Sequence, residues 1–345
     1  MKFNTRCIHA LGPTDETGAV TPPIHMSSTF SHPGLGQTTG FQYTRESNPT
    51  RDHLETLISA LEEGVDALAM SSGMAAIDAV MRLFKPGDHL IIGDDLYGGS
   101  IRLFNSLYKD WGIDFTPVGT SDLEAVKAAF TDRTKAILIE TPTNPMMEVT
   151  DLRAISQLAH QQGALVVVDN TFLSPYFQRP LTLGCDIVVH SGTKFLAGHN
   201  DVVCGFVISK DQEIAEKLRF IFKSVGACLS PMDSWLVMRG IKTLPIRMER
   251  IAKNAQTLAE WFQGQDKVTK VLYPGLPDHP GYAITKAQCD GFGGMISVEV
   301  DSEETAKHLL EDVKVVTFAE SLGGTETLIT YPITQTHAAV PAEEA

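Results

Sequence analysis

Two short runs of β-branched residues, each ending in polar groups, constrain this chain more than any other feature. Leu165-Val166-Val167-Val168 leads into Asp169, and Ile187-Val188-Val189 leads into His190-Ser191-Gly192-Thr193-Lys194. Apolar runs of strand length without alternation suit strands buried on both faces, as in a parallel sheet covered by helices. Such sheets bind ligands outside the carboxyl ends of their strands. Asp169 and Lys194 are therefore expected to reach from two strand ends into one crevice. A structural salt bridge at a sheet edge satisfies the same spacing, so this pair alone leaves the chemistry open.

An acid and a lysine placed this way suit pyridoxal phosphate. The amine condenses with the cofactor aldehyde, and the carboxylate keeps the pyridine nitrogen protonated so that the ring accepts electrons. A lysine with apolar neighbours also has a lowered pKa, which makes it a usable nucleophile and base. Ser191-Gly192-Thr193-Lys194, followed by Gly198-His199-Asn200-Asp201-Val202-Val203, resembles the cofactor-lysine stretch of the Cys/Met-metabolism pyridoxal-phosphate enzymes. The likeness extends through Tyr43-Thr44-Arg45, Asn48-Pro49-Thr50-Arg51, Ser72-Gly73-Met74, Asp95-Leu96-Tyr97-Gly98-Gly99, Glu140-Thr141-Pro142-Thr143-Asn144-Pro145 and Glu320-Ser321-Leu322-Gly323-Gly324. These blocks span nearly the whole chain in the family's order.

The resemblance implies an α/β protein of fold type I, the pyridoxal-phosphate transferase-like fold, with a mostly parallel, doubly wound sheet and a small C-terminal α+β domain. The chain then divides into an extended arm over 1–48, a cofactor-binding domain over 49–244 and the small domain over 245–345. The likeness assigns Gly73, Met74, Ser191 and Thr193 to the cofactor phosphate and Tyr97 to stacking on the ring. Asn144 would bond the ring hydroxyl and the substrate carboxylate, and Ser321 is a second carboxylate contact. Tyr43 and Arg45 match the residues that bind the phosphate of a neighbouring subunit. A shared site makes the active unit at least a dimer, and the family's habit makes it a homotetramer, a dimer of dimers.

The periodicity read directly agrees with that plan. Leu54, Leu57, Ile58 and Leu61 form a helical face. Helices are expected over 75–84, 99–109, 122–130, 151–162, 211–225, 231–239, 247–262 and 303–312. Strands are expected over 66–70, 89–92, 136–139, 295–300 and 313–318, with another near Phe115. Prolines and glycines punctuate residues 1–48, which read as an arm without packing of its own.

The 345 residues carry 42 acidic against 28 basic side chains, a net charge of -14, which disfavours nucleic acid or an anionic membrane as a partner. MKFNTRCIHA lacks the apolar core of a signal peptide, and no apolar run approaches the ~20 residues of a membrane span. Five scattered cysteines without a C-x-x-C pair read as reduced thiols in the cytoplasm, with Cys185 and Cys204 as inert residues in apolar strands. A nicotinamide enzyme would show G-x-G-x-x-G after a strand, but Gly34-Leu35-Gly36 sits in the arm. Ser191-x-x-Lys194 fits the S-x-x-K of serine acyl enzymes without their S-D-N and K-T-G partners. No H-E-x-x-H or paired-cysteine metal motif occurs, which leaves His199 a supporting role.

The family likeness also bears on the reaction. The substrate amine displaces Lys194, which then takes the α proton as general base. In γ-elimination the same lysine shuttles further protons, and Tyr97 assists the leaving sulfur. Methionine γ-lyases carry a cysteine after the stacking tyrosine, where Gly98-Gly99-Ser100 stands here. Enzymes that handle cystathionine at its γ carbon carry glutamate before Ser-Leu-Gly-Gly, the place of Glu320, whose charge could pair with the distal ammonium. Residues 169–180 resemble the γ-lyases, whereas Pro22-Pro23-Ile24-His25 and Tyr97-Gly98-Gly99-Ser100 suit the γ-synthases equally. The favoured reading is a cystathionine γ-lyase, with γ-synthase and then β-lyase as alternatives. Family members continue past Thr336-His337-Ala338 to an arginine that grips the substrate carboxylate. A chain ending without it is expected to bind cofactor and turn over poorly.

Overall fold

The computed structural model describes residues 1–12 and 15–335. In chain order its elements are α1 (Phe3–His9), α2 (Pro49–Glu62), β1 (Asp66–Met70), α3 (Gly73–Met81), β2 (His89–Gly93), α4 (Gly98–Leu103) and β3 (Asp114–Val118). There follow α5 (Leu123–Ala128), β4 (Thr134–Glu140), α6 (Leu152–Gln161), β5 (Leu165–Asp169), α7 (Ser174–Phe177), β6 (Ile187–Ser191) and β7 (Gly205–Ser209). The remainder is α8 (Gln212–Val225), α9 (Pro231–Ile241), α10 (Leu244–Phe262), β8 (Val268–Leu272), α11 (Tyr282–Gln288), β9 (Ser297–Val300), α12 (Glu303–Asp312), β10 (Thr317–Phe318) and β11 (Leu328–Ile329).

Seven strands form one sheet in the order β1-β7-β6-β5-β4-β2-β3. From β6 to β3 every pairing is parallel, and β7 alone runs against both of its neighbours, β6 and β1. The unbroken apolar runs are explained by burial on both faces. Val166 and Val168 of β5 pack with α6 on one face, while Val167 joins the cluster formed with α3 and α8 on the other. Ile137 and Ile139 of β4 face α6 in the same way, and Ala136 and Leu138 face α3. Helices on both faces leave only strand ends open to a ligand.

Caps set where the helices begin. Asn48, Ser72, Asp122, Asp151, Asp211, Ser230 and Ser302 each accept a main-chain N–H of the turn they open. Such a cap is worth about 1 kcal/mol. The first half of α10 packs Leu244 and Met248 into the core beside α9, and its second half packs Ala255 and Ala259 against Tyr273 and Leu276. The strands beyond it pair only as β8 with β9, antiparallel, and β10 with β11, parallel. Among the described residues no helix is long and apolar enough to cross a membrane.

Several elements depart from the sequence reading. Residues 3–9, taken as part of an extended arm, form α1. Cys7 is buried in the main core with Phe3 packed against it one turn away, and Arg6 pairs with Glu63 at 2.7 Å. A seven-residue helix is too short to display a period. The helix expected over 99–109 is α-helical only to Leu103, and Phe104–Tyr108 forms a π-helical turn. The wider turn lets Phe104 stack on Phe115 at 5.0 Å while Tyr108 still buries and bonds Asp78. The strand expected over 313–318 shrinks to Thr317–Phe318, since β-branched residues alone do not make a strand without a neighbour to pair with. Cys185 and Cys204 lie just before β6 and β7 rather than within them, buried in each case, and all five cysteines are free thiols. Burial pushes the Cys7 and Cys185 thiols up to about 12, consistent with inert core residues.

Candidate active site

The carboxyl ends of β2, β4, β5 and β6 open on one cleft, closed on its far side by the loop 320–324. Glu140 and Asp169, the last residues of β4 and β5, stand opposite each other in the ladder. Asp169 Oδ1 accepts from the Thr171 amide at 3.0 Å and from the Thr171 hydroxyl at 2.5 Å. That hydroxyl in turn accepts the Ser191 N–H at 2.8 Å. Thr171 thus links the acid at the end of β5 to the loop that carries the lysine. Burial raises the pKa of both acids, and Glu140 is raised further by the negative Asp169 beside it. The Thr171 bonds favour the ionised form of Asp169 and oppose the effect of burial there, whereas Asp169 and Asp95 add to the effect of burial on Glu140.

Lys194 lies in a tight turn after β6, in which its N–H donates to Ser191 O at 3.2 Å and its carbonyl accepts from Gly198 N at 2.9 Å. Its Nζ donates to Ser321 Oγ at 3.1 Å. Burial lowers the pKa of this amine, and the nearby Glu320 charge partly opposes that. Thr193 Oγ1 is engaged with both the N–H and the carbonyl of Cys204, which fixes the turn. Ser321 has φ +144°, a strained conformation for a side-chain-bearing residue. Gly323 lets the loop come this close, since a Cβ there would stand 2.6 Å from Phe195 N.

On the opposite wall, Ser72 caps α3 by accepting the Ala75 N–H at 3.0 Å. The amides of Gly73 and Met74 belong to the first turn, which has no intrahelical acceptors, and helix N-termini of this kind suit phosphate. A Cβ on Gly73 would stand 2.9 Å from Ser191 Cβ, so only glycine leaves the amide beside the serine hydroxyl. Tyr97 sits over Gly99, where a Cβ would meet the ring at 2.4 Å, and its N–H donates to Glu140 Oε2 at 3.0 Å. A lowered-pKa amine, an acid whose ionised form two Thr171 bonds favour, a helix N-terminus and an aromatic ring on one wall fit pyridoxal phosphate.

Ten of the twelve candidate residues line this cleft: Gly73, Met74, Tyr97, Asn144, Asp169, Ser191, Thr193, Lys194, Glu320 and Ser321. Tyr43 and Arg45 do not. Tyr43 is 46% exposed, and the Arg45 guanidinium lies over its ring at 5.6 Å and donates to the Lys223 carbonyl. His199 bonds the carbonyl of Ala197 rather than facing the cleft. Two groups central to this geometry, Glu140 and Thr171, lie within motif stretches of the sequence that assign them no role. The in-register pairing of β4 with β5 sets Glu140 beside Asp169, which the motif does not show.

The family model described as Cys/Met metabolism PLP-dependent enzyme matches residues 4–345. Cystathionine gamma-lyase of Bacillus subtilis is 50% identical over 99% of this chain and 91% of its own length. Cystathionine beta-lyase of Lactococcus lactis subsp. cremoris is 50% identical over 99% and 90%. Cystathionine gamma-synthase of Mycobacterium leprae is 47% identical over 99% and 89%. Among solved structures, cystathionine gamma-lyase from Lactobacillus plantarum complexed with L-serine superposes with a TM-score of 0.98 at 46% identity, covering 100% of this chain and 90% of that one.

Proposed function

The chain belongs to the Cys/Met metabolism PLP-dependent enzymes, and from that premise we propose that it cleaves cystathionine by γ-elimination to cysteine, 2-oxobutyrate and ammonia. Pyridoxal phosphate is the cofactor, and when bound it supplies the electron sink for the substrate's α carbon. The observation that carries the reading is Glu320. It lines the cleft close enough to Lys194 to raise that amine's pKa, on the wall opposite the α3 N-terminus. A carboxylate there suits a substrate with a second ammonium at its distal end, which cystathionine has and methionine lacks.

The residues of this chain then take distinct tasks. Asp169, whose ionised form the Thr171 bonds favour, would receive the ring N–H of the cofactor. The Gly73 and Met74 amides and the Ser191 hydroxyl would hold the phosphate, with Thr193, whose hydroxyl already donates to the Cys204 carbonyl, fixing the turn beside them. Tyr97 would cover the ring on one side, and Asn144 and Ser321 would orient the substrate α-carboxylate. Lys194, whose pKa burial lowers, takes the proton from the substrate α carbon and returns one further along the chain. Tyr97 Oη delivers a proton to the departing sulfur.

γ-Replacement on an O-acyl-homoserine is the alternative, supported by the likeness to a gamma-synthase at 47% identity. β-Elimination is supported by a beta-lyase at 50%. One assay separates the three: supply the protein with cofactor and cystathionine and identify the keto acid. 2-Oxobutyrate is the expected product. Pyruvate would replace the proposal with β-lyase chemistry. No keto acid, together with cystathionine formed from an activated homoserine and cysteine, would replace it with the synthase.

Tyr43 and Arg45 lie outside their own chain's cleft, and this supports a site shared with a second copy. We take the working unit to be a homodimer at least, paired into a tetramer.

A further inference from the structure

We propose that Glu140 is a positioning residue that anchors the main chain of Tyr97, and that with Asp95 it stitches the loop after β2 to the loop after β4. The inference rests on the proposed placement of Tyr97 and Asn144 against the cofactor. The stitch is reciprocal. Glu140, at the end of β4, accepts the Tyr97 N–H at 3.0 Å, and Asp95, in the loop after β2, accepts the Met146 N–H at 3.0 Å. One loop carries Tyr97 and the other carries Asn144, so the two bonds fix the separation of two walls of the cleft.

A carboxyl group is an expensive choice for this task unless it does something an apolar side chain cannot. Glu140 is only 7% exposed and stands opposite Asp169 in the ladder. It takes part in no ion pair among the described residues; it accepts the Tyr97 N–H, and the Asn144 N–H also favours its charged form. Tyr97 opens α4 without a side-chain cap, so the start of this short helix has no other anchor of that kind. Its ring is already seated by Gly99 and Met74, where a Cβ on Gly99 would meet Tyr97 Cε1 at 2.4 Å and Met74 Sδ at 3.1 Å. The ring is therefore placed from below by packing, and the backbone beneath it from behind by Glu140.

Accepting an N–H needs an oxygen and no charge. The titratable groups facing Glu140 are acidic, Asp169 on β5 and Asp95 on the loop after β2, while the N–H groups of Tyr97 and Asn144 face it as donors. Both acids disfavour a further negative charge, and so does burial. A neutral amide should therefore serve as well as the acid.

The test uses holoenzymes of E140Q, E140A, D95A and Y97A. Three quantities are read: the visible circular dichroism of the bound cofactor, its release rate on dilution, and the melting temperature without cofactor. Y97A should change the dichroism, and if it does not, the reading of Tyr97 falls and this inference with it. E140Q should keep the dichroism and release cofactor within about twofold of the parent. E140A should diminish the dichroism and release cofactor about tenfold faster, the loss of one buried hydrogen bond. If E140A does not fold, D95A carries the same expectation from the other side of the stitch, at a half-exposed site. A Y97A effect with E140A or D95A unchanged in dichroism and release would overturn the stitch alone. So would E140Q as defective as E140A, since that would mean the charge is what matters.

Discussion

Replacing Thr171 with valine keeps the shape of the side chain and deletes its hydroxyl. Two bonds go with it: the donation to Asp169 Oδ1 at 2.5 Å and the acceptance of the Ser191 N–H at 2.8 Å. A hydrogen bond to an ionised group is worth about 1.5–3 kcal/mol, and a stranded amide costs about 1–3 kcal/mol. Asp169 and Thr171 both border an open cleft, so the lower ends apply, and T171V should lose about 2.5 kcal/mol of stability in urea titration of the cofactor-free protein. The share that acts on ionised Asp169, about 1.5 kcal/mol, equals about one pH unit. Its sign follows from which form the bond favours. The hydroxyl stabilises the carboxylate, so without it Asp169 protonates at higher pH. The acid limb of the kcat profile should therefore move up by about one pH unit. The stability penalty should also be largest where Asp169 is ionised and shrink as the pH falls through its pKa. T171S keeps both bonds and should follow the parent. A T171V enzyme that loses stability while its acid limb stays in place would refute the coupling of Thr171 to Asp169, and so would T171S matching T171V.

Gly73→Ala places a Cβ 2.9 Å from Ser191 Cβ and should weaken cofactor binding in equilibrium dialysis by about tenfold while the keto-acid product stays the same. Lys194→Met removes an amine whose pKa burial has lowered, so cofactor-free K194M should melt above the parent. That advantage is fully present below the folded-state pKa of Lys194, where the parent carries a buried charge, and fades as the pH rises through it; differential scanning calorimetry across pH follows both arms. Arg45→Ala should lose cofactor more readily than the parent. Mixing R45A with K194A subunits should restore activity, because one site in such a pair holds an intact lysine from one chain and an intact arginine from the other. No recovery on mixing would place Arg45 outside the shared site. Glu320→Gln should raise KM for cystathionine more than it lowers kcat, measured by steady-state kinetics, since the carboxylate is proposed to hold the far end of the substrate.

The sequence by itself determined the central sheet and what stands at its ends. Val166, Val167 and Val168 cannot all be buried unless both faces of β5 are covered, and a covered parallel sheet presents its ligands with strand termini. From that followed Asp169 and Lys194 in one cleft, and the motif blocks placed Gly73, Tyr97, Asn144 and Ser321 around them. These residues are legible because each is local to a strand end, a helix start or a tight turn. The small elements were not. α1 depends on Cys7 finding the core of a helix far along the chain, and β10 on a partner about eleven residues away. What tertiary structure alone decided is who touches whom across the cleft. Strand register set Glu140 against Asp169, and the fold brought the Thr171 hydroxyl to the Ser191 amide and the Ser321 hydroxyl to Lys194, 127 residues distant. Periodicity shows which face of an element is buried. It holds no record of the register between elements, and the pKa values of buried acids and amines depend on that register, because a neighbour's charge falls off over a few ångströms.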